Sequence, residues 1–141
     1  MRVTIDWLRE YVDIEESAEE VAEVLTASGT AVEEILEHEG EAVLDLEITT
    51  NRPDCLGVIG VARELAAVTG RPLRWPSLEA TFTGEEVGAS FSVEIEDLAL
   101  CPRYTARLVR GVRVGPSPAW LRRRLEAVGI RSVSNVVDIS N

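Results

Sequence analysis

Arginine is the residue type whose number and spacing in this sequence could do chemistry. All 14 basic residues among the 141 are arginines, and three of them are consecutive at positions 122–124. A guanidinium group can hold a phosphate through two parallel hydrogen bonds, so such a run could contact a nucleic acid. The side chains that would form this surface are Arg107, Arg110, Arg122, Arg123, Arg124 and Arg131.

The distribution of charge favours a different role for these arginines. The formal net charge is −11; residues 1–100 carry 23 acidic and 6 basic side chains (−17), and residues 101–141 carry 2 and 8 (+6). A protein of this net charge repels a nucleic acid as a whole. We therefore prefer solvation and internal charge balance for the arginines, and we keep nucleic-acid binding as the alternative.

Residue types that form enzyme sites are few. The sequence contains one histidine, His38, and two cysteines, Cys55 and Cys101, without the spacing of a metal site. It shows no paired carboxylates, nucleophile triad or glycine-rich phosphate loop, so we predict no catalytic residue, no metal and no cofactor. His38 is expected to be solvated. Cys55 is expected to be a packed, inert thiol, although a helix start could lower its pKa.

Residues 44–70 contain the clearest local signals. Leu44, Leu46 and Ile48 alternate with polar residues and predict a half-buried strand. Asn51 and Pro53 suit a turn after that strand. A recognition loop at residues 51–54 is the less favoured interpretation.

A helix is predicted after this turn. Its apolar stripe runs from Val58 to Val68, and Asp54 is expected to cap its start. Gly57 and Gly60 are expected to lie inside the helix and let another backbone approach closely. Gly70 is expected to end it in the left-handed conformation.

The rest of the first half alternates short elements. A strand is predicted at residues 3–5 and a helix at 7–12, with Asp6 as its cap. Ser17 and Glu20 have the spacing of a capping box and predict a second helix. A strand at 32–36 and a polar turn at 37–41 follow.

The second half is predicted to form a separate unit after a proline- and glycine-containing linker. Alternating residues at 91–95 and 104–110 predict two strands. Ser117 is expected to cap a helix with Pro118 in its first turn. Asn135 and Asp138 are expected to cap or to bond nearby backbone, and Trp7, Trp75 and Trp120 to anchor the core or its rim.

Three stretches resemble one family. They are VLDLEITTNRPDCLGVIGVARELAAVTGRPL at residues 43–73, MRVTIDWLREYVDI at 1–14 and SPAWLRRRLEAVGIRSVSNVVDISN at 117–141. All three are similar, in order, to the beta subunit of bacterial phenylalanyl-tRNA synthetase. The family has an OB-fold domain inserted in its first domain, and here a turn near residues 38–41 stands in its place.

The resemblance implies an α+β fold in two parts. Residues 1–76 would be a small winged-helix-like (B1-like) helical domain with a small sheet, residues 77–89 a linker, and residues 90–141 a truncated α/β unit that begins the B3/B4 editing module. The chain would be a non-catalytic structural fragment or minimal form of a subunit that charges tRNA with phenylalanine and edits mischarged tRNA.

The resemblance also implies partners, since the alpha subunit and tRNA would be partners in the parent enzyme. The exposed face of the truncated second unit is expected to promote self-association. No apolar run is long enough to span a membrane and no signal peptide opens the sequence, so a cytoplasmic location is expected. A designed scaffold without a ligand is a further alternative, since the sequence has no lysine and its insertion site is closed.

Overall fold

The computed structural model describes residues 1–79, 84 and 86–141. Part of the predicted linker lies outside these residues. The chain forms two compact units, one made of Met1–Ser77 with Gly115–Asn141 and the other of Leu78–Val114. Among the described residues, no helix is long and apolar enough to cross a membrane.

The first unit contains a three-stranded antiparallel sheet in the order β1-β3-β2. Glu39 (φ 50°) and Gly40 (φ 81°) form the two-residue turn between β2 and β3, because both adopt the positive φ that a tight hairpin needs. The capping box predicted at Ser17 and Glu20 is present at the start of α2. The elements up to this hairpin are β1 (Arg2–Thr4), α1 (Ile5–Arg9), α2 (Ala18–Ala27), β2 (Ala31–His38) and β3 (Glu41–Glu47).

The start of α1 differs from the prediction. The helix begins at Ile5, and the Thr4 hydroxyl accepts a hydrogen bond from the Trp7 backbone N–H. Asp6 therefore lies inside the first turn and is not the cap. Its carboxylate instead accepts a hydrogen bond from Arg9, at 2.8 Å.

Helix α3 (Val58–Thr69) follows a short 3-10 turn, Pro53–Cys55, and packs into the core of this unit. Gly70 has φ 69°, the left-handed conformation predicted for it. The core is one contiguous apolar cluster that joins α1, α2, α3 and the inner face of the sheet. Its fully buried members include Leu8, Leu25, Leu44 and Leu65.

Two predictions about the start of α3 are wrong. The N-cap position belongs to Gly57, which lies outside the helix and has no atom within 4 Å of the place where a Cβ would lie. Asp54 does not cap α3, because its carboxylate accepts hydrogen bonds from Arg52 and Arg63. The close approach is found at Gly60, where a Cβ would lie 1.7 Å from the carbonyl oxygen of Asp54.

Residues 115–141 form two helices, α4 (Ala119–Ala127) and α5 (Asn135–Ser140). Pro118, not Ser117, occupies the N-cap position of α4. Ser117 lies one residue before the N-cap position, and its hydroxyl donates to the Asp138 carboxylate. The predicted cap is therefore wrong at Ser117.

The second unit lacks the strands predicted at 91–95 and 104–110. Among its described residues, the only regular element is one 3-10 turn, Val87–Ala89. Phe91 and Tyr104 are 50% and 63% exposed. An alternating sequence becomes a strand only when a neighbouring strand accepts its hydrogen bonds and covers its apolar face. The described fold is therefore α+β, with its sheet confined to the first unit.

Candidate functional site

Two arginines of α4 contact acidic side chains of residues 1–77, in the same compact unit. Arg124 donates to the Glu10 carboxylate at the end of α1. Arg123 lies 3.5 Å from the Glu39 carboxylate and 3.8 Å from that of Glu41, at the hairpin turn. In both contacts an arginine is paired with carboxylates of the same chain, which is the internal charge balance preferred from the sequence.

Two tryptophans surround the Arg124 guanidinium. Its central carbon lies 4.8 Å from the ring centre of Trp7 and 5.7 Å from that of Trp120, both within the range of a cation–π contact. An open cleft of about 240 Å³ lies beside these side chains. Trp7 and Trp120 act as rim residues here, since Trp120 is 62% exposed.

The remaining arginines of the predicted surface have other surroundings among the described residues. Arg122 makes a long ion pair with Glu126 one helical turn later, at 4.0 Å. Arg131 is exposed after the end of α4. Arg107 and Arg110 belong to the other compact unit, where Arg110 donates to the Ser90 hydroxyl at 2.7 Å. The role of all six in nucleic-acid binding stays a prediction.

The turn before α3 forms a closed network of charges. Arg52 donates to Asp54 at 3.1 Å through each of two nitrogens and to Glu64 at 2.7 Å. These hydrogen bonds lower the pKa of both carboxyl groups and raise the pKa of the guanidinium. Arg63 adds a second contact to Asp54, at 3.0 Å. The network fixes the turn, which is the structural role preferred for residues 51–54.

Cys55 and His38, whose side chains can be reactive, are both shielded from solvent at least in part. Cys55 is fully buried, and burial raises the pKa of its thiol in spite of the nearby Arg52, as expected of an inert cysteine. His38 is half-buried, and its buried Nε2 finds no hydrogen-bond partner among the described residues. The expectation of a solvated His38 is therefore wrong for this nitrogen, which is enclosed by the protein.

Asp138 is a buried carboxylate with several hydrogen-bond donors. It is 2% exposed, and it accepts hydrogen bonds from the hydroxyls of Ser117 and Ser132 and, at 2.8 Å, from the Val133 N–H. Burial alone would raise its pKa, but these donors hold the pKa at about 2. Asn135 exchanges two hydrogen bonds with Gly115, at 2.9 and 3.1 Å. Both residues bond nearby backbone, as expected.

The sequence does not predict the cluster that Trp7, Glu10 and Trp120 form around Arg124. Trp7 and Glu10 are three positions apart, so they share one side of the first helix. Trp120 and Arg124 are four positions apart and share one side of α4. Nothing in the sequence indicates that these two sides meet. Among the described residues, no group of three or more potential ligands is placed to hold a metal ion.

Comparisons with known proteins agree on one family. A family model described as "B3/4 domain" matches residues 100–141. The phenylalanine–tRNA ligase beta subunit of Rhodopirellula baltica is 49% identical over 141 residues, which are 100% of this chain and 21% of that subunit. Those of Syntrophus aciditrophicus and Thermotoga maritima are 58% and 57% identical over 101 residues, 72% of this chain and 13% of each subunit.

The chain therefore spans about a fifth or less of the length of these relatives. The similarity extends over its whole sequence and includes the B3/4 match at its end. By sequence, the chain belongs with the beta subunits of bacterial phenylalanine–tRNA ligases.

Proposed function

We propose that this chain is a non-catalytic, structural part of a phenylalanyl-tRNA synthetase beta subunit. The observation that carries the proposal is a similarity that covers the whole chain but only 21% of a relative. The parent enzyme joins phenylalanine to its tRNA with ATP and removes wrong amino acids from mischarged tRNA. The chain by itself does neither.

The use of its polar side chains supports a structural role. The acidic groups with lowered pKa values, such as Asp54, Glu64 and Asp138, are held by hydrogen bonds from arginines, hydroxyls or backbone N–H groups. A general acid or base needs a pKa near the working pH, and these groups are shifted away from it. Their hydrogen bonds instead join different segments of the chain, as between Arg52 and Glu64 and between Ser117 and Asp138.

We assign residues 1–76 to a B1-like, winged-helix-like domain, 77–89 to a linker and 90–141 to the start of a B3/B4-like α/β unit. Two helices followed by a hairpin, whose second strand pairs with β1, support the first assignment. The two-residue turn at Glu39 and Gly40 takes the place of the inserted domain. The match to the Rhodopirellula subunit along the entire chain supports a natural closure at this turn.

The partners proposed for the parent subunit are the alpha subunit and tRNA, in the cytoplasm. Self-association of this chain through its B3/B4-like part is also proposed, because that part presents apolar side chains such as Ile139, which is 78% exposed.

The test compares the pure chain with the complete synthetase. We expect no aminoacylation of tRNA and no deacylation of mischarged tRNA by the chain, with or without added alpha subunit, while the complete enzyme does both. Robust turnover by the chain would contradict the proposal. Salt-dependent binding of labelled tRNA without turnover would favour a nucleic-acid-binding module instead.

A further inference from the structure

The groups around the Arg124 guanidinium are those found in binding sites for organic cations. The guanidinium lies against Trp7 at 4.8 Å and Trp120 at 5.7 Å, and it donates to the Glu10 carboxylate. Two indole rings and a carboxylate are the groups that proteins use to bind organic cations. The Arg124 side chain is 28% exposed, and the cleft of about 240 Å³ beside it gives small solutes access.

The arrangement suits a guanidinium better than an ammonium ion. A guanidinium is planar, so it can contact an indole through its face while an N–H at its edge donates to a carboxylate. It is also more weakly hydrated than an ammonium ion, which lowers the cost of contact with an aromatic ring. By comparison, the neighbouring Arg123 makes longer contacts, at 3.5 Å to Glu39 and 3.8 Å to Glu41.

The site joins parts of the chain that are distant in sequence. Trp7 belongs to α1 and Glu10 is the C-cap residue of that helix, whereas Trp120 and Arg124 belong to α4. Leu125 and Ala127 of α4 are buried, yet they are not members of the apolar cluster formed by residues 3–66. The Arg124 guanidinium therefore connects α1 and α4 outside the main apolar cluster.

We propose that Trp7, Glu10 and Trp120 form a guanidinium-binding site, whose ligand in this chain is the side chain of Arg124. When that side chain is removed, the site accepts a free guanidinium ion. The competing description is a simple ion pair with Glu10, which any small cation would satisfy equally.

The experiment is chemical rescue of Arg124→Ala in the full chain. The readout is the indole N–H resonance of each tryptophan, assigned with Trp→Phe variants. We expect the substitution to shift the Trp7 and Trp120 resonances. Guanidinium chloride at non-denaturing concentration is expected to return them toward their original positions, and ammonium chloride at equal ionic strength is not.

Two features of the chain provide controls. Arg122→Ala removes an arginine from the same helix whose ion pair lies within α4, and we expect no guanidinium-specific shift in it. Trp75, 64% exposed and outside the cleft lining, is the reference resonance. An equal response to both salts, or no response, would overturn the proposal.

A second variant tests the proposal if Arg124→Ala does not fold. Arg124→Lys keeps the positive charge but loses the planar group. We expect its Trp7 and Trp120 resonances to be displaced from those of the original chain despite the retained ion pair. If lysine reproduces the original positions in full, the site does not recognise guanidinium.

Discussion

Residues 1–77 and 115–141 belong to one compact unit but are stabilised by different chemistry. The first segment is built on a contiguous apolar cluster whose central side chains are almost completely buried. The second has only Leu125 and Ala127 as buried apolar side chains among its residues, and it depends on the Asp138 hydrogen bonds and on arginine contacts. Apolar burial stabilises in proportion to area, whereas polar contacts mainly fix geometry.

The structural role proposed for the chain agrees with this difference. Within 115–141, Asp138 and Asn135 hold two short helices and the loop before them. The tightly packed first segment provides the surface on which α4 lies.

Leucine-to-alanine substitutions compare the two interiors directly. Leu65 lies in the main cluster, so Leu65→Ala should lower the free energy of unfolding by about 2–5 kcal/mol. Leu125→Ala should cost less, since fewer apolar groups surround it, and should leave the sheet folded. Urea denaturation followed by circular dichroism measures both. Equal losses from the two variants would mean that the segments share one core.

Gly60→Ala tests the close approach at the start of α3. A Cβ at this position would lie 1.7 Å from the Asp54 carbonyl oxygen, so backbone must move. We expect a loss of about 1–3 kcal/mol or more, as for other overpacked sites. Gly57→Ala is the matched control, with no neighbouring atom within 4 Å and an expected change below about 1 kcal/mol. A well-tolerated Gly60→Ala would contradict the described turn.

Asp138→Asn tests the polar segment. The amide cannot accept from both hydroxyls and the Val133 N–H as the carboxylate does, so α5 should separate from the Ser117 loop. We expect a drop of several degrees in the melting temperature and loss of amide protection confined to 115–141. Ser140→Ala is the control, because its hydroxyl bonds only the carbonyl of Val137, at 2.7 Å. Loss of protection throughout the sheet would show that the segments are not separable.

Acid gives the smallest expected effect. The pKa of Asp138 is lowered from 3.8 to about 2, so its contribution is complete above pH 3.8 and is lost as the pH falls through about 2. The Val133 amide, which donates to Asp138, should therefore shift with a midpoint near pH 2 in an NMR titration. A midpoint near the ordinary value of an aspartate would mean that the hydrogen bonds are absent in solution.

Local signals allowed much of residues 1–77 to be predicted. The capping box at Ser17, the hairpin turn at Gly40 and the helix end at Gly70 each depend on a few adjacent residues. The sequence predicts a cap at Asp54 because a capping residue and a partner for arginine look alike in sequence. Only the fold decides which group its carboxylate meets.

Predictions that depended on distant partners fared worse. Alternation at 91–95 and 104–110 favours strands, but alternation does not supply the neighbouring strand that a sheet requires. Arg124 meets Trp7 across more than a hundred residues of sequence, and neither residue identifies the other. The polar neighbours of His38 predict a solvated side chain, whereas the structure leaves this side chain half-buried with its Nε2 enclosed.

Native-state amide hydrogen exchange tests the central claim most directly. That claim is that residues 1–77 form an apolar-centred fold to which 115–141 is attached mainly by polar contacts. We predict that amides of α3 and β3 exchange only through global unfolding. Those of α4 and α5 should exchange through a local opening of lower free energy that Arg124→Ala makes easier. Equal protection in both segments, unchanged by Arg124→Ala, would contradict the account.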